Sequence, residues 1–235
     1  MKVKEHLKEL MFIFLKSFII IGILFFALIY FTQNIILMLL GYFNIQAVVL
    51  SPMEYWNIQI SLCFYIALFF TIPYMLWQLI KFVKEALPEQ NYNNILAVYL
   101  YMLSLFLAGT FFGGLIFTKV TLGFLSNIPN TINVLWSLES IYNYFFFSAL
   151  IFGISAQVII LIPILIHFKV IKRDWLASKR KYLIIAIVIL CAFITPTGDP
   201  FSLAMMGIPL YMFFETGMII SYFKNNDITL EGGEK

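Results

Sequence analysis

Six apolar runs, separated by short charged or turn-forming segments, leave this chain little choice of fold. They lie near Phe12 to Phe31, Tyr55 to Ile80, Ile95 to Phe117, Ile141 to Phe168, Tyr182 to Ile194 and Phe201 to Phe223. A run of about 20 apolar residues can cross a bilayer as a helix, and only helices and closed barrels satisfy their backbone in hydrocarbon. Composition agrees: 62% of the 235 residues are hydrophobic and 11% are charged, where soluble domains carry about 25% charged residues. The expectation is an all-α membrane protein of six transmembrane helices, a single domain over residues 1–223 with a polar cytoplasmic tail at 224–235. The first run follows a basic segment, as in a signal peptide, but its length and the absence of an Ala-x-Ala site read as a retained anchor.

Charge placement sets the expected orientation. Of the 15 basic residues, all but Lys119 fall at the N-terminus, after the second run, after the fourth run or at the C-terminus. Because cytoplasmic loops carry the excess of Lys and Arg, both termini and those two loops are expected in the cytoplasm. The net charge of +3 is then a topology signal. It is no argument for nucleic acid, which would call for a basic patch on a folded surface.

The runs are unequal. At 1.5 Å per residue, Tyr182 to Thr195 reaches only about 21 Å against a core of roughly 30 Å, so the last two helices are expected to be short. Pro196 and Pro200 lack backbone donors, and Gly198 and Asp199 favour a tight turn, so an outer hairpin joins them. Glu215 lies about 14 residues, or 21 Å, beyond Phe201, in the cytoplasmic half of the bilayer. A carboxylate at the centre would cost roughly 2.5 to 3.5 kcal/mol, which makes an acid within a span a candidate for function.

Few other groups can do chemistry. The sequence has no phosphate-binding G-x-x-x-x-G-K-[ST], no H-E-x-x-H and no G-x-S-x-G. Cys63 and Cys191 fall inside spans without metal-ligand spacing and read as small core residues, and His167 reads as an interfacial residue. No catalytic residue, metal or cofactor is expected. Gln157, the outer-edge Thr195 and Glu215 remain as polar candidates.

The motifs, taken in order, resemble those of the TatC family, the multi-spanning receptor subunit of the twin-arginine protein translocase. They are His6-Leu7-Lys8-Glu9-Leu10; Leu50-Ser51-Pro52-Met53-Glu54; Pro73 with Trp77-Gln78 and Phe82; Phe106 to Gly113 with Phe124-Leu125; Phe152-Gly153; Leu176 to Lys181; and Thr195 to Ser202 with Ile208-Pro209 and Phe214-Glu215. The resemblance covers nearly the whole chain. It implies a non-enzymatic receptor for twin-arginine signal peptides in the cytoplasmic membrane of a prokaryote. With single-span TatA/TatB-type partners, within a complex holding several copies of the receptor, it would export folded proteins on the proton-motive force.

Two adjacent arginines are best met by carboxylates, which accept forked pairs of charge-assisted hydrogen bonds. Glu9 matches the family's N-terminal acid. Asn91 stands where the second loop usually has an acid; Glu85 or Glu89 substitutes for it, or both are solvated loop charges. Phe82 floors the signal-peptide site or anchors at the interface. Met11 and Gln157 replace a family arginine and a family acid. Gln157 cannot carry a proton as a carboxylate does, and it either contacts a partner helix or makes an internal bond. Ala204, Gly207 and Gly217 offer small residues to a docking partner or to the core. A small secondary transporter with a mid-membrane polar site is the alternative, though the repeated halves and broken helices common in transporters are not seen.

Overall fold

The computed structural model describes residues 2–43, 47–86, 95–126, 136–167, 170–194 and 200–231. Five of its helices are long and apolar enough to cross a bilayer, and a sixth, α9 (Arg180–Ile194), is the short one expected at 15 residues. The first span, α1 (Lys2–Leu28), passes through a 3-10 turn into α2 (Thr32–Phe43), which the sequence reading did not anticipate. The buried hydroxyl of Thr32 donates to the Ile29 carbonyl at 3.0 Å and so binds the joint to itself.

The second span, α3 (Pro52–Ala86), holds Pro73 in its interior and has 35 residues. Its length, about 52 Å, exceeds the hydrocarbon core by enough to project beyond it. Near its N-terminal end Gln59 donates to the Ile29 carbonyl at 3.3 Å, which sets the level of α3 against the antiparallel α1. A pair of two-residue parallel strands, β1 (Ala47–Val48) and β2 (Trp136–Ser137), ties the segment before α3 to the start of the fourth span. Among the described residues the regular structure is therefore helical but for this clip.

The third span is built of α4 (Ile95–Phe111), a π-helical turn at Phe112–Phe117 and α5 (Thr118–Ser126). Widening a helix by one residue frees a carbonyl. Here the Gly113 carbonyl accepts from Thr118 and from Ser148, each at 3.0 Å, and all three groups are buried. The same segment crosses α6 (Leu138–Ala156) closely: a Cβ on Gly109 would stand 2.5 Å from the Phe152 carbonyl, and one on Gly113 would stand 2.6 Å from that of Ser148. Glycines four apart let two membrane helices touch backbone to backbone, where dispersion and weak polar contacts replace the missing hydrophobic drive.

The fourth span breaks at Gln157 and resumes as α7 (Val158–His167). The short α8 (Arg173–Ser178) leads into α9, and Pro200 opens α10 (Pro200–Glu231). Proline suits a first helical position, where no amide donor is needed. One expectation is corrected here. The last helix is long, at 32 residues, and its backbone runs on through the polar segment to Glu231. No proline or glycine interrupts the chain between Phe223 and Glu231, so propagating a nucleated helix costs little. At the packed centre, Phe106, Phe152 and Met206 are fully buried, and so are both cysteines.

Candidate functional site

The first group of candidates lies at one end of the α1–α3 pair. Counting from the Gln59–Ile29 contact, Glu9 is about 30 Å down α1 and Phe82 about 34 Å down α3. Antiparallel packing therefore brings Glu9, Phe82 and Glu85 to the same end. Phe82 is half-buried. The side chains of Glu9 and Glu85, and the whole of Glu89, lie outside the described residues.

The second group sits within the bundle. Gln157 is 5% exposed, and its amide donates to the Met102 carbonyl of α4 at 3.0 Å. Its Oε1 is buried without a hydrogen-bond partner among the described residues. An amide has both a donor and an acceptor to satisfy, so the internal bond answers only half of it. The break after α6 follows from the same place: two amides, of Ile160 and Leu161, share the Gln157 carbonyl at 3.2 and 2.9 Å.

Glu215 is fully engaged inside the chain. Arg180 donates to one carboxylate oxygen at 3.0 Å, and the Tyr211 hydroxyl donates to the other at 2.6 Å. This clasp joins the start of α9 to α10. The sequence reading took Arg180 as a topology charge and missed the pairing, although the spacing held it. Arg180 lies about 14 residues before Ile194 at the end of α9, and Glu215 about 14 after Phe201 near the start of α10, so equal rise brings them to one depth. Of the small residues on α10, Gly207 faces Ile187 and Cys191 of α9, and Gly217 faces the Val158 and Ile159 carbonyls of α7. Both serve internal packing, and Ala204 is exposed. Pro200 begins α10, while Thr195, Pro196 and Asp199 lie outside the described residues.

Glu54 is the residue that sequence reasoning passed over. Ser51, Pro52 and Glu54 form a capping box at the start of α3: the Ser51 hydroxyl accepts from the Glu54 amide at 3.2 Å, and the carboxylate accepts from the Ser51 amide at 3.4 Å and from that of Leu50. Its other oxygen accepts from the Ser137 hydroxyl at 2.7 Å and the Glu139 amide at 3.1 Å, at the start of α6. One carboxylate, 4% exposed, thus caps two helix N-termini, where partial positive charge favours an anion.

A cavity of about 640 Å³ opens between α3, α4 and α6, lined by Tyr65, Phe69, Leu107, Phe111, Phe145 and Ala149 among others. Neither Gln157 nor Glu215 lines it. This cavity is therefore not a transporter site built on those two polar groups.

The match to known proteins is as broad as the motif order suggested. A family model described as Sec-independent protein translocase protein (TatC) covers residues 5–209. The TatC of Haemophilus influenzae is 27% identical over 94% of this chain and 93% of its own length. That of Escherichia coli K12 is 26% identical over 93% and 87%. An uncharacterized tatC-like protein of Gracilaria tenuistipitata var. liui is 27% identical over 94% and 93%. Two crystal structures of the twin-arginine translocase receptor TatC are similar in fold, each at 25% identity. One gives a TM-score of 0.85 over 93% of this chain and 98% of its own, and the other, in DDM, gives 0.82 over 92% and 99%. The chain is a member of the TatC family of Sec-independent protein translocase proteins.

Proposed function

We propose that this chain is the receptor subunit of a twin-arginine translocase, which exports folded proteins across the cytoplasmic membrane on the proton-motive force. Both termini face the cytoplasm in this reading. The observation that carries the site is the convergence of Glu9, Phe82 and Glu85 at one end of α1 and α3. Carboxylates there, with Glu89 in the adjoining loop, would hold the two guanidinium groups of the signal, and Phe82 would take its apolar stretch. The partner subunit would be a single-span helix packed on α9. That helix is shorter than the hydrocarbon core and exposes Ile185, Ile189 and Phe193. A neighbour that covers this face relieves the mismatch as well as burying it. Glu215, with both oxygens engaged in the chain, would hold α9 in position for that partner, and the open acceptor of Gln157 would serve a donor on a helix entering beside it.

The test is export of a folded reporter carrying a twin-arginine signal in cells where this protein is the only receptor. Glu9→Ala should lower export strongly while the protein level holds, and Glu85→Ala with Glu89→Ala should lower it together more than singly. Full export by all three variants would remove the assignment of the signal site.

A further inference from the structure

The loop between α7 and α9 carries cations that the clasp does not use. Arg180 is taken by Glu215 at 3.0 Å. Lys179 and Lys181, either side of it, are exposed, and both ammonium groups stand over the single ring of Tyr182, at 5.2 and 5.1 Å from its centre. The guanidinium of Arg173 lies over the Tyr222 ring at 4.6 Å, with its Nε buried and without a hydrogen-bond partner among the described residues. Lys172 is exposed beside it. Against these four cations the same stretch offers one acid, the exposed Asp174, and none of the four is ion-paired among the described residues.

Two ammonium groups on one ring repel each other, and the ring's attraction, about 0.5–1 kcal/mol at an exposed site, does not remove their need for an anion. Trp175 and Tyr182 are each 55% exposed beside them. Exposed Trp and Tyr at the end of a membrane helix occupy the headgroup level of the bilayer. The α8 helix separates the two ends of the patch by about 9 Å along the backbone.

We propose that this loop, built on Lys172, Arg173, Lys179 and Lys181 with Trp175 and Tyr182, binds the phosphodiester headgroup of an anionic membrane lipid. The lysines and the arginine supply the charge, and the aromatic rings hold them at headgroup depth. Lipid recognition at this place would fix the end of α9, the same helix that the Arg180–Glu215 clasp positions, without drawing on that clasp.

The experiment uses the full chain in a neutral detergent, with lipid retention read by native mass spectrometry. Phosphatidylglycerol should be retained in preference to phosphatidylcholine. Lys179→Gln with Lys181→Gln, both exposed and outside the clasp, should weaken phosphatidylglycerol retention about fivefold for each charge removed, and Arg173→Gln should act in the same direction. Lys119→Gln, which removes a distant cation over Tyr42, should leave retention unchanged. Equal retention of the two lipids, or full retention by the double variant, would overturn the proposal and leave an acidic protein surface as the occupant. Displacement of the lipid by millimolar inorganic phosphate would overturn it in favour of a free anion.

Discussion

Replacing Glu54 by alanine removes the carboxylate that closes the N-terminal ends of α3 and α6 together. The loss can be counted from its partners. Three backbone amides, of Leu50, Ser51 and Glu139, and the Ser137 hydroxyl all donate to it. The bonds to Ser51 and Leu50 belong to a capping box, whose loss costs about 1 kcal/mol. The short bond from Ser137 and the Glu139 amide are charge-assisted contacts to a buried group, worth roughly 1.5–3 kcal/mol each before the freed donors find water. Allowing for that rescue, Glu54→Ala should destabilise by about 3 kcal/mol, or roughly 6–12 °C in Tm for a chain of this size. Glu54→Gln should lose less, because one amide oxygen can still accept while its NH2 must face a donor. The assay is thermal unfolding in detergent alongside proteolysis of the segments around residues 47 and 136, which the carboxylate and the β1–β2 pair hold together. Ser137→Ala should cost about 1–2 kcal/mol alone and clearly less in the Glu54→Ala background, where only its cap contact to the Ser140 amide is left to lose. Unchanged melting in Glu54→Ala, or additive losses in the double variant, would refute the shared-cap reasoning.

Other outcomes follow from the same geometry. Gly113→Ala should loosen the α4–α6 crossing and cost about 1–3 kcal/mol, because the new Cβ meets backbone. Gly22→Ala, where nothing stands within 4 Å, should be neutral or stabilise by up to about 1 kcal/mol; both are read from melting curves. Gln157→Leu should change stability by under about 1.5 kcal/mol, since it removes an orphaned acceptor along with one hydrogen bond, and parallel export and melting assays check it. Arg180→Gln and Glu215→Gln should show a coupling of no more than about 1 kcal/mol in a double-mutant cycle, because the pair is 45% and 26% exposed.

The spans were legible because charge and apolar length are local properties, and the short α9 followed from counting alone. Glu54 shows where local reading stops. Its capping box is written in Ser51-Pro52-Met53-Glu54, but its second set of donors, Ser137 and Glu139, is more than eighty residues away and leaves no mark near it. The break at Gln157 was likewise invisible, since a lone amide in an apolar run signals no turn. The length of α10 was misjudged for a different reason: polarity marks where a helix leaves the membrane, and the helix itself ends only where the backbone is broken. For the signal site, the motif residues Glu9 and Phe82 were readable one at a time, and their placement at one end needed the antiparallel α1–α3 pair.

The π turn at Phe112–Phe117 also makes the third span a helix whose two halves are out of phase. One residue of an α-helix corresponds to about 100° of rotation, so the extra residue housed in that turn aims everything after it in a new direction. Phe124 stacks on Phe201 of α10 at 3.9 Å, and Lys119 lies over Tyr42 of α2 at 5.3 Å, only with that offset in place. Deleting a single residue there would leave the span long enough for the bilayer, yet would turn its C-terminal end like a key, away from both neighbours at once.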